Sequence, residues 1–421
     1  MKIAIVGAGI SGLVCAHRLH AEHDVTVYEA GDYVGGHTNT IDVDEDGQTL
    51  AVDTGFIVFN ETNYPNFCAL LDELGVESQP TLMGFSVRDD RDGTEYSGAS
   101  LGHVYAQRKN LFKPSFHGMV RDLLRFYKEA PALLEGDDDL TLGQYLRDNG
   151  YGRRFVEQHI VPMGSALWSC SEQMMDRFPA RFFVQFMHNH RMLHLKGRPA
   201  WRVIKGGSRE YVKKLVAPFR DRIHVSTPVD GVTRDDDGVT ITARGHEPQR
   251  FDRVIFACHS DQALRILGAN ASAAEREILG ALPYSKNDTI LHTDTRVLPR
   301  TQKTWSAWNY HVRPDRDQQA SATVTYHMNQ LQSLTAKRDY CVTLNDHDEV
   351  APESILKRID YDHPQYTPEG IAAQKRYDEI AGAKHTWFCG AYWGWGFHED
   401  GVRSALRVCR DFEAVPVEVR S

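Results

Sequence analysis

No apolar run in this 421-residue chain approaches the roughly 20 residues that a membrane-spanning helix needs. The Lys2-led apolar start breaks at Gly7, so it reads as a buried strand and not as a leader segment. Paired cysteines are missing as well: the seven present are scattered, without a CxxC pair, which excludes a disulfide framework and a zinc ribbon. A reducing, cytoplasmic compartment is the expectation. Acids outnumber Lys and Arg, and a net charge of -9 argues against a general nucleic-acid binder. The 20 histidines include no HExxH. His188 and His190 would share a face only in extended chain, whereas Met187 to His194 reads as helix, so no metal site is expected.

What is present is a soluble, globular balance, 41% hydrophobic and 25% charged, over a length that suits two or three lobes. Residues 2–6, KIAIV, have the unbroken apolar character of a parallel strand buried on both faces. They run into Gly7-Ala8-Gly9-Ile10-Ser11-Gly12, and Leu13, Ala16, Leu19 and His20 follow at helical spacing. Strand, GxGxxG and helix in that order form a dinucleotide site: the glycines permit a tight turn, a close backbone approach to pyrophosphate and close helix packing. A second strand, Asp24 to Tyr28, ends at Glu29 and Ala30. The acid lies 17 residues after Gly12, where a carboxylate reaches a ribose diol and repels a 2'-phosphate, which points to FAD or NAD.

The next segments choose between them. Gly35-Gly36-His37-Thr38 resembles the second glycine loop of the FAD-dependent amine oxidase, protoporphyrinogen oxidase and phytoene desaturase superfamily, with His37 where those families commonly carry Arg or Lys. Val52 to Ile57 resembles their strand and turn beside the isoalloxazine ring, with Gly55, Phe56 and Ile57 as contacts. Trp201 to Leu215 is similar to the middle motif, after which Val229 matches the valine that meets adenine. Strands are predicted over Ile223 to Val225, Gly238 to Ala243 and Phe251 to Ala257, with a turn at Asp235 to Gly238. Thr386 to Gly390 resembles the last strand, and the segment to Phe412 the C-terminal flavin motif, its helix expected from Asp400-Gly401-Val402.

The resemblance implies one noncovalent FAD and an α/β fold: a Rossmann-type, amine oxidase-like FAD-binding domain with an inserted α+β substrate domain. The FAD-binding part would comprise 1–89, 195–285 and 365–421; the substrate-binding part 90–194 and 286–364. The implied cofactor contacts are Gly7, Ala8, Gly9, Ile10, Ser11, Gly12, Glu29, Ala30, Gly35, Gly36, His37, Thr38, Gly55, Phe56, Ile57, Val229, Ala257, Gly390, Gly401 and Val402. GGHTNTIDV, DTGFIVFN, RPAWRVIKGGSREYV, SAWNYHV, VTYHMNQLQ and GAYWGWGFHEDGVRSAL resemble bacterial NAD/FAD-binding proteins found beside cyclopropane-fatty-acid-synthase-like methyltransferases.

That similarity implies oxidation or desaturation of a methylated or unsaturated acyl chain by hydride transfer to flavin N5, with such a methyltransferase as partner. An amine or protoporphyrinogen-type oxidase, and a non-catalytic flavin-bound partner of a lipid methyltransferase, are the alternatives. His398 and Glu399, in the C-terminal motif, and Lys286, near the lysine of amine oxidases, are the candidate catalytic residues; Phe397 stands at a cage-tyrosine position.

In the insertions, Thr141 to Gln144 has the form of a capping box, and Glu135 to Asp139 that of a solvated acidic turn. Trp305 to Tyr310 and Thr323 to Tyr326 read as strands that suit either the roof of an apolar cavity or an ordinary core. A helix over Met119 to Lys128 puts Met119, Val120, Leu123, Leu124 and Tyr127 on one face. With Arg108, Lys109, Lys113, Arg121, Arg125 and Lys128 nearby, that stripe suits either core packing or peripheral contact with an anionic membrane at its inner face.

Overall fold

The structure, a computed structural model, describes residues 1–136, 140–314, 321–346 and 348–412; most of the acidic turn at 137–139 lies outside them. At its centre is a parallel sheet in the order Ile223–His224, Asp24–Tyr28, Lys2–Val6, Arg253–Phe256, Thr386–Phe388. Lys2–Val6 pairs on both sides, with Val6 opposite Tyr28 and Phe256, and its last four residues are buried, as the unbroken apolar run predicts. Ile3, Ile5, Val25, Val27 and Ile255 pack against helices Ile10–Leu19, Arg209–Val216 and His398–Cys409. Ala4, Val6, Val254 and Phe256 pack the other way, against a three-stranded sheet (Val229–Asp235, Gly238–Ala243, Gln249–Phe251) and helices Ser260–Leu267 and Ala273–Gly280.

The strand predicted over Phe251 to Ala257 is two strands in two sheets. The break falls at Asp252, whose N–H donates to Lys2 O and whose carboxylate accepts from Lys2 N, so the chain is handed from one sheet to the next. The turn at Asp235 to Gly238 forms as expected, with Asp237 N donating to Asp235 Oδ1.

A seven-stranded mixed sheet carries Tyr284–His292 and Ile355–Pro364 at one edge and Phe85–Asp89 and Thr94–Ser97 at the other. It begins before both expected domain limits, at Phe85 and Tyr284. Trp308–Val312 and Val324–His327 lie inside it, while Trp305 to Ala307 precede the strand. Helices between Pro114 and Asn189 cover it through a core rich in aromatics. Thr141 and Gln144 make both bonds of the capping box. Helix Ala180–Asn189 ends before His190, so Met187 to His194 is helical only in its first three residues. Among the described residues no His, Cys, Asp and Glu group could hold a metal, and no helix is long and apolar enough to cross a membrane.

Candidate cofactor site

The carboxyl ends of the parallel strands converge on the glycine loops, where open α/β sheets bind ligands. Gly7 has φ +108°, and a Cβ there would press on Ala257 O at 2.8 Å. A Cβ on Gly12 would overlap Gly7 O. Gly9 is different: a Cβ there meets nothing within 4 Å. Gly9 is also the N-cap of helix Ile10–Leu19 and supplies no side-chain cap, so the first-turn N–H groups of Ile10, Ser11 and Gly12 face that open side.

The second glycine loop docks on the first. Gly35 N donates to Ala8 O at 2.9 Å, and a Cβ on Gly36 would lie 3.1 Å from Gly9 Cα. Both residues have positive φ, +132° and +58°, which keeps them glycine. Glu29 braces the pair: Oε2 accepts from Ala8 N and Oε1 from Gly31 N, each at 2.7 Å. A carboxylate has lone pairs beyond these two, so a diol can still be bound. Beside Ala30, Thr227 N donates to Glu29 O and Ser226 N to Gly31 O, which draws the segment leading to buried Val229 alongside. Gly55 backs onto the same loop, with Phe56 N donating to His37 O at 2.7 Å, and Ile57 is buried next to it.

The C-terminal helix starts at His398, two residues earlier than expected, because Asp400 turns back to accept from Trp395 N and Phe397 N. Ser11 Oγ donates to Gly401 O at 2.9 Å, and Gly401 lies against Ile10, so this helix is fastened to the glycine helix with Val402 buried beneath. Gly390 N donates to Ser404 Oγ. The open backbone at Gly9, the uncapped helix and the acid at the strand end fit a dinucleotide.

The profile of flavin-containing amine oxidoreductases matches residues 10–412. The chain belongs to this family. FAD is the cofactor of this flavoenzyme, and its activity is that of an oxidoreductase. A 4,4'-diapophytoene desaturase from Staphylococcus aureus is 28% identical over 132 residues, 31% of this chain and 26% of that relative; the match thus spans about a quarter of the relative's length. The fold is similar to that of cyclohexylamine oxidase from Brevibacterium oxydans (TM-score 0.70, 16% identity, 98% of this chain and 99% of that one). It is also similar to a CLA-producing fatty acid isomerase from P. acnes (TM-score 0.67, 16% identity, 98% of each).

In this flavoenzyme the three candidate catalytic residues do not converge. His398 lies flat against Phe56, ring centroids 3.7 Å apart and 8° from parallel. Its Nε2 is 2.7 Å from Tyr211 Oη, which in turn meets Thr38 Oγ1 at 2.6 Å. Burial pushes its imidazole down to about 3, so it is neutral and a weak proton acceptor. Glu399 faces elsewhere: Asn66 N, Asn66 Nδ2 and Phe67 N donate to its carboxylate at 2.6–3.0 Å, capping helix Pro65–Glu73. Burial raises its carboxyl. Lys286 is exposed on strand Tyr284–His292 opposite Asp362. Strand alternation turns it away from Tyr361 and His363, which point at the glycine loops. Glu399→Ala is expected to cost about 2 kcal/mol by orphaning those donors, measured as a fall in melting temperature that Glu399→Gln partly restores.

Cys389 is buried with its sulfur 3.9 Å from that of Cys15, in the core between sheet and helices.

Two features escape a linear reading. His37 stacks on Tyr361 at 4.9 Å and lies 5.3 Å from His363 and 6.4 Å from His259, which itself stacks on Tyr284 at 4.3 Å. Desolvation and the neighbouring imidazoles hold His37 well below its ordinary range, and its Nε2 is buried without a hydrogen-bond partner. Four separated segments supply this cluster; the one sequence signal was a histidine where Arg or Lys is usual. The other is Asp53, wholly buried at the end of a strand. It accepts from Thr40 Oγ1, Ser208 N and Ser208 Oγ at 2.5–3.0 Å, holding the Gly206-Gly207 turn in place, and burial lifts its carboxyl to about 6.

On the side of the helical layer, aromatics from that layer meet the C-terminal motif. Phe397 stacks on Phe186 at 4.8 Å, Phe182 on Tyr366 at 5.0 Å and packs 6.0 Å from Trp395. Trp168 Nε1 donates to Trp395 O, tying the two layers together. Tyr366 Oη and Trp395 Nε1 are buried without partners in this wall, and the His190 imidazole stacks on Phe186 at 3.9 Å.

Proposed function

We propose that this flavoenzyme oxidises a lipid acyl chain, removing a hydride and a proton from adjacent carbons of a methylated or unsaturated fatty acyl group to leave a double bond. FAD, when bound, supplies the hydride acceptor. The protein's part is to hold the chain, exclude water and position the reacting carbons. One observation carries the reading: both acids of the C-terminal motif are spent on backbone. Glu399 caps the helix at Asn66, and Asp400 holds Trp395 N and Phe397 N and pairs with Arg403. An ammonium ion arriving at Phe397, Trp395, Phe182 and Tyr366 would gain cation–π attraction from the rings but find no available carboxylate from this motif, whereas an acyl chain needs only the rings. A protein of similar fold is a CLA-producing fatty acid isomerase, and a sequence relative is a 4,4'-diapophytoene desaturase, which supports the same reading.

Amine oxidation is the second reading, favoured by the fold shared with cyclohexylamine oxidase. The test is anaerobic: the visible flavin band of the purified protein is followed while phospholipids with methylated or unsaturated chains, simple amines, polyamines or a porphyrinogen are added. Bleaching by the phospholipids alone is the expected result. Bleaching by amines or the porphyrinogen instead would overturn it. Where no addition bleaches the band, even with a cyclopropane-synthase-like methyltransferase present, the non-catalytic reading replaces it.

A further inference from the structure

Helix Pro114–Glu129 buries most of the face its periodicity suggests: Met119 is buried, and Val120, Leu123 and Tyr127 pack half-buried against the aromatic core. Phe116, Met119, Asp122 and Phe126 point inward, with Asp122 Oδ2 accepting from Gly152 N at 2.8 Å. Of the apolar stripe, Leu124 alone is left outside, 47% exposed. His117, Arg121, Leu124 and Lys128 form the outward row, at the i, i+4, i+7, i+11 spacing of a single helical stripe.

At the amino end of that row stands an apolar tip. Phe112 is 85% exposed and Leu111 48%. The tip is braced rather than loose: His117 Nε2 bonds Leu111 O at 2.9 Å, and its Nδ1 bonds Tyr105 Oη at 3.0 Å. Phe116, just behind, is fully buried against Tyr96 and Tyr105. Tyr105 follows the short helix Leu101–Val104, whose Leu101 is 75% exposed. Large apolar side chains held out into water by buried anchors are an arrangement that burial alone does not favour.

The charge around the tip is predominantly positive. Residues 101–128 hold six Lys and Arg and one acid, Asp122, which is buried and lies 3.8 Å from Arg121, while Glu129 just beyond pairs with Arg125, in a protein whose net charge is -9. Arg108, Lys109, Arg121 and Lys128 are exposed, whereas Arg125 is drawn aside over the Tyr151 ring and onto Asn149 O. Rigid apolar side chains ringed by cations complement a surface that is apolar within and anionic at its boundary.

We propose that Leu111, Phe112 and the row His117, Arg121, Leu124, Lys128 dock this protein on the surface of an anionic lipid bilayer, the tip entering the headgroup boundary and the basic row lying along it. The proposal does not depend on the substrate reading, since it concerns a surface formed by other residues.

Its test is sedimentation of the flavin-loaded protein with vesicles of phosphatidylcholine alone or mixed with phosphatidylglycerol, at low and high salt. Binding to the mixed vesicles that weakens with salt is expected. Phe112→Ser should weaken it about tenfold. Arg121→Glu with Lys128→Glu should weaken it by roughly as much or more and remove most of the salt dependence. All these positions are exposed, so melting temperature and flavin content should not change. Equal binding of wild type and variants, or no binding to the mixed vesicles, would overturn the proposal. So would a self-association in solution that Phe112→Ser abolishes without any vesicle binding by the wild type, which would assign the face to a second copy of the chain.

Discussion

Gly9→Val is expected to yield a folded protein that carries no flavin, while Gly12→Ala is expected not to fold stably. The two glycines are three residues apart in one motif, yet their surroundings differ. Gly9 has φ -77° and ψ -179°, ordinary for any L residue, and a Cβ there meets nothing within 4 Å. The apoprotein should therefore keep its stability to within about 0.5 kcal/mol. The new side chain occupies the one approach by which a pyrophosphate reaches the first-turn N–H groups, so visible flavin absorbance per protein should be lost. At Gly12 a Cβ overlaps Gly7 O and presses on Ala257 Cβ at 3.1 Å, within the strand-to-helix turn itself. That overlap is with backbone, and relieving it should cost more than about 3 kcal/mol. Gly118→Ala is the control: it sits in helix Pro114–Glu129 with nothing within 4 Å, so a gain of up to about 1 kcal/mol with unchanged flavin is expected. Melting temperature and flavin content, measured together, separate the cases. Full flavin content in Gly9→Val would remove the glycine cradle from the cofactor site.

Stability should fall steeply as pH drops below about 6.5. Burial holds His159, His190, His292 and His363 down to about 4 and His398 to about 3. In the unfolded chain each takes up a proton near its ordinary value of 6.5; in the folded protein each resists until far lower pH. The unfolded state therefore gains protons first, and stability present above 6.5 drains away as pH falls toward 4. Asp53 and Asp400, lifted to about 6, act in the opposite sense: their folded forms take up protons first, adding stability between about 6 and their ordinary 3.8. At about 1.4 kcal/mol per unit, the histidines together amount to roughly 20 kcal/mol and the two acids to about a third of that. The difference is comparable with the whole stability of a typical domain, about 5–15 kcal/mol. Melting curves of the apoprotein from about pH 7.5 to about pH 4.5 should show the decline, and His159→Gln, which removes one such group, should make it shallower. A melting temperature that holds steady or rises across this range would contradict the assignment of these imidazoles as buried and neutral.

Much of the cofactor end was legible because its determinants are local. An apolar run, three spaced glycines and a strand-end acid predict a turn whose geometry follows from backbone sterics, and the structure has that turn. The capping box at Thr141 was readable for the same reason, since both of its bonds span three residues. Phe251 to Ala257 was not: its apolar pattern is continuous, and only the pairing of Asp252 with Lys2, 250 positions away, divides it between sheets. Helix Pro114–Glu129 is a similar case. Its apolar stripe was legible, but the burial of Asp122 on Gly152 N and the exposure of Leu124 were not.

The sequence by itself determined the dinucleotide loop, because it rests on residue spacing and on backbone conformations that glycine tolerates, and the resemblance of its motifs implied the family and the FAD. Tertiary structure decided what the side chains do. It assigned Glu399 to a helix cap and Asp53 to a turn, gathered His37, His259 and His363 from distant segments, and left Phe112 in water. A carboxylate or imidazole takes its role from whichever donors and rings packing brings within about 3–5 Å, and that proximity is not a property of position along the chain.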